Sequence, residues 1–198
     1  AVSTTNDPTG SYYRYSVDFS ATGFNDYGKL GIFGDAYYTS YNIFEETTLD
    51  NLGVSLCASD RAKMLVGDPT AATLCSPTAF YAGGSAFLPA DVDGLEQPSD
   101  LARGGVFMRY SKTNQNLRFV RLKPDFVNST VTVSDGFGGG DGSYVNLPVG
   151  ATIRSCNDTG GNCIAQPDTA TLLATLGDRL MYRLVYRNRG GVESLLVN

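Results

Sequence analysis

Five aspartates, Asp26, Asp35, Asp91, Asp93 and Asp178, fall in turn signals or just ahead of apolar stretches. Carboxylates at such places have two chemistries open to them. A pair about 5–10 Å apart across a pocket works as acid and base on a glycosidic bond. Several together hold a calcium ion with backbone oxygens. Asp91-Val92-Asp93-Gly94 matches the opening of a calcium loop, so Asp91 and Asp93 are the candidate metal ligands, although no glutamate follows at the EF-hand spacing. The competing role for every one of the five is local, because an aspartate in a turn caps its own backbone. No cofactor is expected unless that calcium site forms.

Basic and aromatic residues supply the other candidates. Arg179, Arg183 and Arg187 are spaced by four, which puts them on one face of a strand together with Met181 and Val185. Such a row suits the clamping of a substrate carboxylate, as a sialic acid site requires; its alternative is a solvated strand paired with nearby acids. Lys29 and Arg179 join the aspartates as binding candidates. Tyr12, Tyr13 and Tyr15, and likewise Tyr37, Tyr38 and Tyr41, read either as sugar-stacking platforms or as rings packed between sheets. The chain has no histidine and no G-x-S-x-G, and Gly138-Gly139-Gly140 lacks the ending of a phosphate loop. No nucleophile with its base is visible, and the catalytic residues, if any, stay unassigned.

Composition narrows the partners. A net charge of −5 and a pI near 4.6 disfavour nucleic acid, which needs a basic face. No apolar run approaches the length of a membrane span. The four cysteines form two local pairs, Cys57 with Cys75 and Cys156 with Cys163. Without histidine or C-x-x-C a zinc site is disfavoured, and two disulfides in an oxidising compartment are expected. Each is worth roughly 2–3 kcal/mol on the chain-entropy estimate. Asn128 and Asn157 head N-x-[ST] sequons.

The elements that must position these residues are short strands. Ser11–Phe19, Lys29–Phe33, Ala36–Phe44, Gly53–Ala58, Ala86–Pro89, Gly105–Tyr110, Leu117–Leu122, Thr130–Val133, Leu180–Tyr186 and Glu193–Val197 read as strands with turn residues between them. Gly34-Asp35 suits a two-residue hairpin turn. Lys112 to Asn116, and Asn188 to Gly191, close two further hairpins. Asp60 heads a single helical turn to Val66. Asp168–Leu176, with leucines at 172, 173 and 176, reads as a short helix or a loop, and Phe137–Gly142 as a flexible loop. The fold class is therefore all-β and mostly antiparallel. The strands fall in groups of three or four, each opened by an aspartate loop, which favours blades of a β-propeller. The first residues, Ala1–Thr5, and the last stretch to Asn198 read as strands cut within regular structure, so residues 1–198 are expected to be part of one propeller domain inside a longer chain.

Three segments carry a resemblance: Asn25–Tyr38, Leu88–Gly94 and Gly177–Asn188. They are similar, in the same order, to segments of large secreted bacterial proteins that look propeller-like, most without an assigned activity and some with a loose sialidase label. Gly28 and Phe33 replace the proline and tryptophan of that pattern, and with no tryptophan anywhere the chain has no Asp-box turn. The resemblance implies a secreted or cell-surface β-propeller module. Its expected partners are the remainder of its own chain, or another chain, completing the wheel. The expected function is binding of carbohydrate or protein, or a part in an extracellular assembly. The alternative is a glycoside hydrolase-like enzyme that uses Asp26, Asp91 and Asp178 at the propeller mouth.

Overall fold

The computed structural model describes residues 1–78, 86–111, 114–150, 152–181 and 183–198. Lys112 and Thr113 of one expected loop, and Tyr182 of one expected strand, lie outside them. The first half of the chain holds β1 (Val2–Ser3), β2 (Tyr12–Tyr13), β3 (Phe24–Phe33), β4 (Ala36–Phe44), β5 (Asn51–Asp60), α1 (Arg61–Leu65), β6 (Thr73–Cys75) and β7 (Leu88–Val92). The second half holds β8 (Gly105–Ser111), β9 (Asn116–Asp125), β10 (Thr130–Ser134), β11 (Val145–Pro148), β12 (Asn162–Gln166), β13 (Thr169–Ala174), β14 (Leu184–Arg189) and β15 (Val192–Leu196). The chain is all-β, with antiparallel and mixed sheets.

Strands β3-β4-β5-β6 form an antiparallel meander. Its first hairpin turns at Gly34, whose φ of +62° is the left-handed value that glycine adopts without strain. Side chains alternate along β4. Ala36, Tyr38, Ser40 and Asn42 point inward, and the two polar ones are satisfied there. Ser40 Oγ donates to the Phe87 carbonyl at 2.6 Å, and Asn42 Oδ1 accepts from the Ala86 amide at 2.9 Å. At the far end of β5, Asp60 caps α1 by accepting from the Lys63 amide at 3.1 Å. The Cys57–Cys75 disulfide joins directly opposed residues of β5 and β6, and Cys156–Cys163 closes a seven-residue span.

The second sheet runs β10-β9-β8-β7-β14-β15, with β11 also on β9. Its β7–β14 pairing is parallel, between segments more than ninety residues apart. One core lies between the two sheets. Tyr38 of β4 meets Phe107 of β8 edge-on at 5.9 Å, and Phe33 of β3 meets Tyr186 of β14 at 5.0 Å. At Gly31 the backbones themselves approach: a Cβ there would collide with the Ala90 carbonyl oxygen of β7. The Ile32 amide donates to Asp91 Oδ1 at 3.0 Å across the same seam.

Several elements differ from the sequence expectation. Asp168–Leu176 is neither helix nor loop; β13 pairs with β12 as a hairpin turned at Pro167-Asp168, with Asp168 at φ +59°. Its leucines 172 and 173 are exposed, so their spacing marks no helical face. Of Ser11–Phe19 only Tyr12–Tyr13 pairs, with β1. Tyr15 instead donates its hydroxyl to the Met64 carbonyl at 3.2 Å, and Phe19 packs on Tyr41. The last long strand starts at Leu184, after an Asp178–Arg179 ion pair, rather than at Leu180. β11 lies outside the segments expected to be strands. Among the described residues the strands close neither a barrel nor a wheel. The β3–β6 meander has the four antiparallel strands of a blade, whereas the second sheet is mixed and shares its core with the first.

Candidate functional site

The parallel β7–β14 pair brings two of the five aspartates together. Asp91 lies within β7, not in a turn, and Asp93 follows it by two, so both project from the same side of the strand. Arg183 and Arg187 project beside them from the β14 segment. Arg183 pairs with Asp91 through Nη1 and with Asp93 at 3.5 Å, and Arg187 Nη2 donates to Asp93 Oδ2 at 2.7 Å. Asp91 also takes the Ile32 amide. The expected arginine row is thus divided: Arg183 and Arg187 keep their shared face, whereas Arg179 precedes the strand and pairs with Asp178 at 2.8 Å. Both candidate calcium ligands face guanidinium groups, and among the described residues no cluster of three metal-ligating side chains occurs.

Charge pairing sets the titration of Asp93. The hydrogen bonds from Arg187 hold its carboxyl below the ordinary carboxylate range, and the charges of Arg187 and Arg183 act in the same direction. A carboxyl depressed by folding stabilises the fold above its unfolded pKa, and that contribution is lost as pH falls through the folded value. Asp93→Asn is therefore expected to flatten the acid limb of the melting-temperature profile relative to wild type. An acid limb unchanged by the substitution contradicts the pairing.

The other predicted residues do not converge with these. Lys29 Nζ sits 3.9 Å from the centre of the Tyr27 ring and the Arg179 guanidinium, paired with Asp178, 5.7 Å from it, so Lys29 and Arg179 share one tyrosine. Asp26 is exposed in β3, opposite Asn42. Asp35 is exposed in the hairpin turn, with the Tyr38 hydroxyl at 3.4 Å. Of the tyrosines, Tyr38 is fully buried, and burial raises its phenol pKa. Tyr12, Tyr13 and Tyr15 line an open hollow of about 570 Å³ with Arg14.

A concavity lies elsewhere, on the second sheet. A cleft of about 670 Å³ is walled by β8, β9, β11, β14 and β15, with Val106, Met108, Phe119, Leu147 and Leu195 among its lining. Alternation gives β8 and β9 two faces: Phe107, Val120 and Leu122 lie on one, and Val106, Met108 and Phe119 on the other, where they line the cleft, with Val106 and Met108 themselves buried in the same apolar cluster. Glu193 is the one carboxylate in this lining and Arg121 the one cation. Glu193 is already engaged, accepting from Tyr186 Oη at 2.6 Å, from the Ser99 amide at 2.8 Å and from Ser99 Oγ at 2.7 Å. The Tyr186 bond is the main reason its carboxyl lies below the usual range. Burial, and then Glu193, push the Tyr186 phenol well above its ordinary value. Arg121 donates to the Gly104 carbonyl at 2.8 Å.

Phe137 reaches the same cleft from the glycine-rich loop expected to be flexible. That loop is tied down in three places. Asp135 Oδ1 accepts the Phe137 and Gly139 amides at 2.7 and 3.0 Å, the Arg103 guanidinium donates to the Gly136 carbonyl, and that guanidinium lies 4.7 Å from the Phe137 ring centre. None of the cleft residues was singled out from the sequence. The available signal was the alternation Val106-Phe107-Met108 on a strand apolar on both faces, which means both faces are covered or one is a binding surface. Comparison with family models, with curated protein sequences and with solved structures finds no match.

Proposed function

We propose that this chain is an extracellular β module that acts by binding, and that its main site takes an extended apolar segment of another polypeptide or of its own longer chain. The carrying observation is the cleft: it is open, mostly apolar, and flanked by β11 and β15, each of which has a strand neighbour on one side only among the described residues. A strand laid there gains main-chain hydrogen bonds from an edge and buries alternate side chains on Val106, Met108 and Phe119. In the propeller reading, which the resemblance supports, this is where a strand supplied from elsewhere extends the second sheet. Two disulfides among the described residues, and the lack of a helix long and apolar enough to cross a membrane, fit a secreted or cell-surface location.

The hydrolase reading requires two carboxylates facing each other across a pocket. The cleft holds one, and Asp91, Asp93 and Asp178 are each bound by arginine. A carbohydrate reading has one observation in its favour, the hollow where Tyr12 is 45% exposed beside Tyr13 and Arg14. Selection from a random-peptide library on the immobilised chain, run beside a glycan array, separates the two. Peptides with alternating apolar residues are expected, and Leu147→Lys should weaken them tenfold or more, since a charge would be buried against apolar side chains. Glycan binding that survives Leu147→Lys and is lost in Tyr12→Ala would overturn the cleft reading in favour of the tyrosine hollow.

A further inference from the structure

Arg109 of β8 and Arg118 of β9 stand directly opposite each other in the antiparallel ladder, on the core-facing side of the sheet. The pairs before them on that side, Gly105–Leu122 and Phe107–Val120, are buried, so the two guanidinium groups sit where the core ends. Like charges directly opposed across a ladder are destabilising, and a β-sheet normally places an acid there. None is present. No carboxylate lies within 4 Å of either arginine, although Arg103, Arg154, Arg179, Arg183 and Arg187 each have one. Nor can the rest of the chain supply it, because residues 79–85, 112–113, 151 and 182 include no aspartate or glutamate.

The pair is also braced and under-bonded. The Arg118 guanidinium lies 3.8 Å from the centre of the Tyr144 ring, and that of Arg109 lies 5.7 Å from the Phe87 ring centre. At 3.8 Å the Arg118 guanidinium is within stacking distance of Tyr144, and a stacked guanidinium keeps its N–H edge for a ligand. Nε of Arg109, Nε of Arg118 and Oδ1 of Asn116, on the same side of β9 two residues from Arg118, are buried with no hydrogen-bond partner among the described residues. Burial, together with the Arg118 charge, pulls Arg109 below the usual arginine range, and no acid offsets it.

We propose that Arg109 and Arg118 form a binding site for a tetrahedral oxyanion, a phosphate or sulfate group, free or as an ester. Each guanidinium edge donates two parallel hydrogen bonds. A carboxylate has two oxygens and saturates one fork, whereas a tetrahedral oxyanion has enough oxygens to accept from both forks at once. The Asn116 side-chain amide, turned so that its NH₂ group points inward, adds a further donor. This site lies on the opposite face of β8 and β9 from the apolar cleft, and it stands or falls independently of the peptide reading.

The test is thermal unfolding and titration calorimetry of the whole chain with sodium phosphate, methyl phosphate and sodium sulfate. Acetate serves as control, and ionic strength is held constant with sodium chloride so that screening does not mimic binding. Wild type is compared with Arg118→Gln and with Arg189→Gln, an exposed arginine at the end of β14. Phosphate or sulfate is expected to raise the wild-type and Arg189→Gln melting temperatures by a few degrees, and acetate not to. Arg118→Gln should bind at least tenfold more weakly and show no rise. Without added oxyanion its melting temperature should equal or exceed that of wild type, because the opposed charges are relieved. Methyl phosphate binding as well as phosphate assigns the site to esters; phosphate binding alone assigns it to the free ion. An equal response to acetate, an equal response of Arg118→Gln and wild type, or an Arg118→Gln protein that is less stable while wild type ignores all three oxyanions, overturns the proposal.

Discussion

Phe107→Ala is expected to lower the unfolding free energy by about 3–5 kcal/mol, the range for removing a large buried aromatic side chain. Phe107 is fully buried, lies opposite Val120 within its own sheet, and meets the Tyr38 ring of the other sheet at 5.9 Å. Truncation removes its contacts in both layers and leaves a cavity that neither rigid sheet can collapse to fill. Urea unfolding with disulfides intact reads the change, and Val127→Ala is the control, since Val127 is 93% exposed and the expected change there is within about 0.5 kcal/mol. Comparable small effects at both positions would mean that the sheets do not share this core.

Gly31→Val is expected to cost about 3 kcal/mol, by overpacking rather than by a cavity. A Cβ at Gly31 would stand 2.9 Å from the Ala90 carbonyl carbon and 3.0 Å from the Pro89 carbonyl oxygen, and would overlap the Ala90 oxygen. These are backbone atoms, so no rotamer change relieves the contact, and β3 must move away from β7. That displacement would also stretch the Ile32 amide from Asp91 and so loosen the charged ladder. Gly140→Ala, where an added Cβ meets nothing within 4 Å, is expected to be close to neutral. Equal melting temperatures for Gly31→Val and Gly140→Ala would contradict the close approach of the two sheets.

What the sequence disclosed was mostly local. The Gly34-Asp35 turn, the Asp60 cap and the β14–β15 hairpin all rest on residues close in sequence, and each forms. The cysteine pairs bridge short spans, and both are joined. The parallel seam between β7 and β14 was not legible, because no local pattern tells which distant strand will lie alongside. Asp91 was accordingly read as a loop residue, and although pairing of the arginine row with nearby acids was one of its two readings, only the seam shows that those acids are Asp91 and Asp93. Thr169–Ala174 misled for a different reason: its leucines suggested a helical face, but neither is buried, and an Asp168 turn commits the segment to a hairpin. The cleft escaped because its lining comes from five strands and one loop that lie far apart in sequence.

The binding cleft is tested most directly by hydrogen–deuterium exchange of the whole chain with and without a peptide selected on it. Added protection is expected at the β15 amides between Val192 and Leu196 and at β11 between Val145 and Leu147, the two edges beside the cleft, with the Asp91–Arg183 seam unchanged. Protection confined to the Tyr12–Ser16 hollow or to the seam, with both edges exchanging as in the free chain, would contradict it.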